Sequence, residues 1–166
     1  NLIWYGEAGL ELPDAELLLS RLDGKLHFSL DGLSAEGISA QALDTEVRID
    51  VGRIGAGHQV VARGRLAAPT LAARYPDIGL EQLAGSSDWR LQLDVPDSVD
   101  GSLPKRRLQL RSDLIGMSLN LPAPLGKKAE ESRSFRLATE LSKDPLTRLD
   151  LGYGELVDMA LVLERL

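Results

Sequence analysis

The feature that most constrains this chain is the alternation of apolar and polar residues through one short segment after another. At positions 89–95, for example, Trp89, Leu91, Leu93 and Val95 alternate with charged or amide side chains. A period of two places the two kinds of residue on opposite faces of an extended strand. Such segments end at glycine or proline signals and predict roughly ten strands, at positions 10–12, 26–30, 38–42, 47–51, 60–66, 89–95, 108–114, 117–121, 135–141, 149–153 and 157–163. Parallel strands would need helical crossovers that the sequence does not contain, so we predict an antiparallel meander.

The segment from Leu108 to Lys128 shows where such a strand must be redirected. Its apolar residues occupy even positions up to Leu114 and odd positions from Met117 onwards. A shift of one residue moves every side chain to the opposite face, so the chain must turn or bulge before Gly116. The prolines at positions 122 and 124 then end the second strand, because proline cannot donate to a ladder.

Two regions depart from clear alternation. Positions 69–84 fit helical turns, because Pro69 suits a first turn and apolar residues follow at helical spacing. Positions 15–22 fit either a short helix or a buried strand. The dipeptides Asp23-Gly24 and Asp31-Gly32 predict turns, and the first is typical of a hairpin.

The composition fits a single globular unit built mainly on leucine. The chain has 166 residues, 43% of them hydrophobic and 4% aromatic, so aliphatic side chains must supply nearly all the burial. It has no cysteine, which excludes disulfide bonds and thiol chemistry. No run approaches the roughly 18 apolar residues of a membrane span. The first residue is not methionine, and we interpret positions 1–166 as a single β-rich segment of a longer protein.

Charge is unevenly distributed along the chain. The net charge is −6, and positions 1–50 carry ten acidic residues against three basic ones. Positions 105–136 carry three acidic residues against eight basic ones, which are Lys105, Arg106, Arg107, Arg111, Lys127, Lys128, Arg133 and Arg136. This basic belt can face an anionic surface, although solubility alone would also place charges on the polar faces of strands. Nucleic acid is not expected, since Phe135 is the only aromatic residue among these cations.

The sequence contains no constellation that supports catalysis. Its two histidines, His27 and His58, fall on the polar phase of a strand and beside a glycine turn, without further zinc ligands. Positions 52–57 are glycine-rich but read GxxGxG and precede a strand, unlike a dinucleotide-binding loop. Ser102 and Lys105 match S-x-x-K, but Pro104 and the strand context remove the helical geometry which that motif requires. We predict that the chain is not an enzyme and binds neither metal nor cofactor.

About ten strands with one apolar face create a burial problem, because nothing in the chain is long enough to form a helical lid. Such a sheet can fold its apolar faces together as a sandwich or barrel. Alternatively it can curl into a trough whose interior is filled by another molecule. The alternation is compatible with both.

Several segments resemble a known protein family. Residues 110–127, LRSDLIGMSLNLPAPLGK, resemble the SDL-x-G-x-x-x-x-LPxPLGK signature of YhdP-type bacterial proteins, which are large relatives of AsmA and TamB. Residues 83–89, LAGSSDW, are similar to the L-x-G-x-x-x-W that precedes this signature. Residues 22–28 and 32–40 resemble the family's repeated β units. The loop after the signature is unusually charged, at Lys128, Glu130 and Glu131.

The resemblance implies a long, groove-shaped β-structure, anchored in the inner membrane of a Gram-negative bacterium and spanning the periplasm. Such proteins are implicated in moving phospholipid towards the outer membrane, and the family has no catalytic residues. Acyl chains would then complete the core, at about 0.8 kcal/mol per buried methylene.

We therefore expect an all-β fold: an elongated antiparallel meander sheet, twisted and curved into a groove, with one or two short helical turns near residues 69–84. Expected partners are phospholipid acyl chains, the remainder of the parent protein and membrane-proximal proteins. The expected groove lining is Trp89, Leu91, Leu93, Leu108, Leu110, Met117, Leu119, Leu121, Phe135 and Leu137. The alternative is a closed β-sandwich that docks a protein partner through its polar faces or unpaired edge strands.

Overall fold

Twelve strands make up most of the chain in the part that the structure describes. The computed structural model covers residues 2–4, 10–12, 17–29, 32–76, 79–98, 105–141 and 146–164. The strands are β1 (Leu2–Trp4), β2 (Leu10–Leu12), β3 (Leu17–Ser29), β4 (Gly32–Ala42), β5 (Thr45–Arg53), β6 (Gly57–Ala67), β7 (Leu83–Pro96), β8 (Arg106–Ser112), β9 (Met117–Leu119), β10 (Phe135–Leu141), β11 (Leu146–Tyr153) and β12 (Val157–Glu164). A short helix, α1 (Ala68–Arg74), and a 3-10 helix (Leu80–Gln82) lie between β6 and β7.

The strands form one antiparallel sheet in nearly sequential order. Ten of them follow the path β1-β3-β4-β5-β6-β7-β8-β10-β11-β12, while β2 pairs with β3 and β9 pairs with the start of β7. The sheet is curved and does not close on itself. The predicted all-β meander is confirmed, and the described residues do not form the closed sandwich that was its alternative.

The connection between β4 and β5 shows how tightly successive strands are joined. It consists of Leu43 and Asp44, whose φ angles are both positive, at 49° and 58°. Two-residue turns with positive φ match the right-handed twist of the strands that they connect. No glycine marks this turn, so it has no counterpart among the predicted ones.

The predicted hairpin turn at Asp23-Gly24 is wrong. β3 is a 13-residue strand that continues through both residues, with register shifts against β4 between Ser20 and Asp23 and between Asp23 and Leu26. A Cβ atom at Gly24 would lie 2.8 Å from Cγ1 of Ile38 on β4. Gly24 therefore lies at a bulge in β3 where β4 approaches closely, and not at a turn that reverses the chain.

The structure also decides the three remaining predictions for this part of the fold, at positions 15–22, 31–32 and 69–84. The ambiguous stretch at 15–22 is extended from Leu17 onwards, and its first two residues lie outside the described residues. At the predicted Asp31-Gly32 turn, Gly32 begins β4 and pairs with Ser29, while Asp31 is also outside the described residues. The helical turns predicted near 69–84 are confirmed, with Pro69 in the first turn of α1, where its missing N–H costs no hydrogen bond.

Buried apolar side chains fall into two clusters. One consists of strand residues alone, Ala40, Ala42, Val47 and Ile49 on β4 and β5. The other combines different elements: Ala68 from α1, Leu114 and Met117 from the chain after β8, and Tyr153 from β11. Only the second cluster has residues from outside the strands packed over the sheet.

Candidate functional site

The register of the sheet aligns the apolar residues of successive strands into rows. Directly opposed residues of antiparallel strands share a face, so each register pair continues a row, and we call this side the apolar face. The central row is Ile38, Ile49, Ala62, Leu91, Leu110, Leu137, Leu151 and Met159. The open row is Ala35, Val51, Val60, Leu93, Leu108, Thr139, Leu149 and Leu161. The capped row is Ala40, Val47, Gly64, Trp89, Ser112, Phe135, Tyr153 and Val157.

The central and open rows form a continuous apolar surface. Eight strands at a spacing of about 4.8 Å give each row a length of roughly 34 Å. Every member of the central row is apolar, and the open row has one exception, Thr139. The hydroxyl of Thr139 donates to the carbonyl oxygen of Arg148 at 2.8 Å, which satisfies its polar group. The two rows therefore present almost only hydrocarbon across eight strands.

From β6 to β12 these two rows are incompletely buried, whereas Ile49 on β5 and Ala35 on β4 are only 6% and 2% exposed. Leu91, Leu110 and Leu137 are half-buried in the middle of the sheet. Towards β12, Met159 is 42% exposed and Leu161 is 40% exposed. Contiguous exposure of this kind differs from the scattered apolar residues of an ordinary protein surface.

From β7 to β12 the capped row is covered by α1 and by residues 113–134, which we call the capping segment. Met117 of this segment is 1% exposed and Ala68 of α1 is fully buried. Beneath them the rings of Trp89 and Phe135 meet edge to face, with centroids 5.4 Å apart. The indole Nε1 of Trp89 is buried with no hydrogen-bond acceptor among the described residues. One side of the apolar face is thus a closed core.

Polar side chains make the turn that leads into the capping segment. Ser112 Oγ donates to the carbonyl oxygen of Asp88 at 2.7 Å and accepts the N–H of Leu114 at 3.0 Å. Asp113 Oδ1 accepts the N–H of Ile115 at 2.9 Å, and Leu114 takes a positive φ of 54°. Local bonds of this type redirect the backbone, so the predicted interruption before Gly116 is confirmed.

Two glycines allow the capping segment to meet β7. Gly85 and Gly116 have φ angles of 89° and 91°, and the N–H of Ser86 donates to the carbonyl oxygen of Gly116 at 3.0 Å. A Cβ atom at Gly85 would overlap the carbonyl oxygen of Gly116, and one at Gly116 would overlap that of Ser86. The LAGSSDW and LRSDLIGMSLNLPAPLGK segments therefore interlock at this point.

Lys127 stabilises the capping segment through hydrogen bonds to the segment's own backbone carbonyl oxygens. Its ammonium donates to the carbonyl oxygens of Leu114 at 2.8 Å, of Lys128 at 2.9 Å and of Met117. The residue is buried, and desolvation lowers the pKa of the ammonium below its ordinary value of 10.5. Lys127 therefore does not belong to the surface of the predicted basic belt.

The far end of the capping segment is tied to the end of β11. Tyr153 Oη donates to the carbonyl oxygen of Leu125 at 2.8 Å. The guanidinium of Arg133 lies 5.2 Å above the Tyr153 ring and donates to the carbonyl oxygen of Pro124 at 2.9 Å. The LPAPLGK loop is consequently held against the sheet by side chains from two directions.

The predicted lining residues occupy two environments. Seven of them lie together in the three rows: Trp89, Leu91, Leu93, Leu108, Leu110, Phe135 and Leu137. The other three belong to the capping segment, where Met117 is buried, Leu119 packs against the same cluster and Leu121 is 40% exposed. The first group lies on the sheet, and the second lies over one edge of its apolar face.

The rows also contain residues that were not singled out from the sequence. Ile49, Ala62, Leu151 and Met159 continue the central row on either side of Leu91 and Leu137. Their alternation indicates which face they occupy, but only the register shows that they adjoin the predicted residues. In the part of the chain described here, no cluster of three or more metal-ligating side chains occurs and no helix is long enough to cross a membrane.

Together the fold and the exposed rows define an open antiparallel β-groove with one apolar face and one capped side. The chain belongs to the YhdP protein family, whose model matches residues 5–165. Proteins of this family are Gram-negative envelope proteins. No curated protein and no solved structure matches the chain.

Proposed function

We propose that the chain is one segment of a lipid-transport conduit in which phospholipid acyl chains lie on the central and open rows. The observation that carries this proposal is the continuity of these rows across eight strands, combined with their incomplete burial from β6 to β12. Family membership supports it, because the YhdP family is related to AsmA-like lipid-transport proteins. The parent protein would be anchored in the inner membrane and span the periplasm.

The chemistry of the rows suits acyl chains in general and no particular lipid. Leucine, isoleucine and valine offer dispersion and exclusion of water, at about 0.8 kcal/mol per buried methylene of the ligand. Hydrocarbon side chains provide no directional hydrogen bonds, so neighbouring positions along a row bind an acyl chain about equally well. Equal binding along the row allows an acyl chain to slide without being held at any one position. Such movement needs no catalytic group.

The direction of the rows sets the direction of transport. They run across the strands, from β4 to β12, and the capping segment and α1 occupy the capped row beside them. Acyl chains would therefore move perpendicular to the strands. Further strands added at the edges of the sheet would extend the same rows.

Photo-crosslinking distinguishes the two faces with matched positions on single strands. A photoreactive amino acid at Leu91 or Leu110 is expected to crosslink phospholipid in Gram-negative cells. At Gln92 or Gln109, which point to the opposite face of the same strands, it should give little crosslinking. Equal crosslinking from both faces, or none from Leu91 and Leu110, would contradict the proposal.

A substitution tests the apolar lining without a photoreactive amino acid. Leu93→Arg places a charge in the open row at a half-buried position, so lipid recovered with the purified protein and transport in cells should both fall. The circular dichroism spectrum should keep its β-sheet signal. Loss of the fold itself in this variant would indicate a closed core in place of a lipid-filled groove.

A further inference from the structure

The polar face of the same sheet carries five arginines in one cross-strand row. Each is directly opposite the next, so that they form a ladder across β5, β6, β7, β8 and β10. The members of this arginine ladder are Arg48, Arg63, Arg90, Arg111 and Arg136. At the spacing of strands in a sheet, the ladder is about 19 Å long.

Solubility and sheet stability do not account for this arrangement. Like charges directly opposite each other destabilise a sheet, and charged residues of opposite sign stabilise it. A nearby row of the same face follows the favourable pattern, since Asp94 and Glu140 both oppose Arg107. The ladder instead places five cations together in a chain whose net charge is −6.

The centre of the ladder is electrostatically uncompensated. Two ladder arginines on either side of the centre have acidic partners. Arg63 pairs with Asp50, and Arg136, at the end of the ladder, pairs with Asp158 at 3.1 Å. The side chain of Arg90 is exposed, and its guanidinium has neither an ion pair nor a hydrogen bond within the described part of the chain. Its guanidinium is therefore available to a ligand at no internal cost.

Four of the five ladder arginines also border shallow depressions. Arg63, Arg90 and Arg111 border one shallow depression of about 610 Å³. Arg111 and Arg136 border a second, of about 520 Å³. Arg111 borders both depressions, so they adjoin along the row.

The residues beside the ladder restrict the shape of an anionic partner. Asp88 lies on one side of the row, and Asp50 and Asp150 lie on the other. A flat anionic membrane would approach these carboxylates as closely as the arginines, whereas a narrow linear polyanion would contact the arginines alone. Nucleic acid would lack stacking partners, since the aromatic residues of these strands, Trp89, Phe135 and Tyr153, all belong to the apolar face.

The spacing of the ladder matches carboxylates on a helix. One turn of an α-helix rises about 5.4 Å, so acidic side chains spaced alternately three and four residues apart recur at about that interval along one face, close to the 4.8 Å between strands. Same-side residues of an extended peptide are farther apart, at about 6.6 Å. Guanidinium groups also bind carboxylates bidentately, which lysines cannot do.

We propose that the arginine ladder is a docking surface for the acidic face of an α-helix of a partner protein, laid across the strands on the side opposite the apolar face. This inference does not depend on what occupies the central and open rows.

The test uses fluorescence anisotropy with a labelled helical peptide that carries glutamates alternately three and four residues apart, so that they share one face. The 166-residue chain should bind this peptide, and a peptide with glutamine at those positions should bind at least about tenfold more weakly. Arg90→Glu should weaken binding of the glutamate peptide by about tenfold or more. Lys128→Glu changes the net charge equally at an exposed position outside the ladder and should leave binding within about twofold.

Equal losses in the two variants, or no loss in Arg90→Glu, would overturn the proposal. Two further ligands test other occupants: oligothymidylate, and vesicles of equal parts phosphatidylglycerol and phosphatidylcholine. If either binds more tightly than the glutamate peptide and loses affinity in Arg90→Glu, the ladder is a site for nucleic acid or membrane, and the helix proposal is overturned. Arg90→Gln guards against misfolding: it removes one like charge, so its unfolding temperature should not fall while peptide binding does. An unfolded Arg90→Gln would show that the ladder is needed for the fold, and would also overturn the proposal.

Discussion

The chain's two methionines lie against the same face of the sheet in opposite environments. Met117, under the capping segment, is 1% exposed, whereas Met159, in the central row, is 42% exposed. Both occur in strands with the same alternating pattern. The comparison shows that the pattern selects the face, and that at these two positions the presence or absence of a covering element decides whether the side chain is part of a core or of an exposed groove.

The two regions also differ in what holds them together. The capped side depends on a set of polar anchors, including the ammonium of Lys127, the hydroxyl of Tyr153 and the turn at Ser112 and Asp113. The central and open rows rely on the backbone ladder and on aliphatic contacts. A region with many directional bonds is fixed in shape, while an aliphatic surface can accommodate ligands of different shapes.

The largest expected effect comes from truncating the two methionines. Met117→Ala removes a fully buried side chain and should lower the free energy of unfolding by about 2–5 kcal/mol, because the capping segment cannot fully close the cavity. Met159→Ala removes a side chain that is already partly solvated and should cost less than about 1 kcal/mol. Urea-induced unfolding of both variants measures the difference. Similar losses would mean that Met159 is covered to the same degree as Met117.

Much of the fold could be predicted from the sequence because strand alternation is a local signal. The alternation at 89–95 and 135–141 predicts strands that the structure contains, and the change of phase predicts the interruption before Gly116. Short connections then favour a meander, which needs no information about distant residues. The error at Gly24 arose because a glycine permits both a turn and a close approach, and the sequence does not distinguish the two.

The parts that could not be predicted depend on contacts between distant residues. The interlock of Gly85 with Gly116 and the cross-strand alignment of Arg48 with Arg136 through three other arginines follow from register, which a single sequence does not contain. Lys127 was misplaced for a different reason. A lysine in a polar segment is normally solvated, and its burial requires three carbonyl groups that only the folded loop brings together.

An intermediate effect is expected where the capping segment meets β7. Gly116→Ala adds a Cβ atom that overlaps the carbonyl oxygen of Ser86, at a φ of 91° that disfavours any side chain. We expect a loss of about 1–3 kcal/mol in the free energy of unfolding, from strain and displacement of the cap. Gly55→Ala is the matched control, because Gly55 also has a positive φ but has nothing within 4 Å of the added atom. A smaller loss at Gly116 than at Gly55 would show that the two segments do not interlock.

The smallest expected effect is a pH dependence that belongs to the capped side alone. Burial lowers the pKa of Lys127 below 10.5, so the unfolded chain binds this proton more tightly than the folded chain. The free energy of unfolding should therefore rise with pH from the lowered pKa up to 10.5, and below that window the full cost of burying the charge is present.

Replacing Lys127 removes this titration and isolates it from that of the other lysines. The free energy of unfolding of the wild-type chain should rise relative to that of Lys127→Met as the pH increases through the window. The rise should be about 1.4 kcal/mol for each unit by which the pKa is lowered. Urea unfolding of both proteins from neutral pH to pH 10.5 measures this, and no gain of the wild-type chain over Lys127→Met as the pH rises would mean that the ammonium is solvated and the cap is open there.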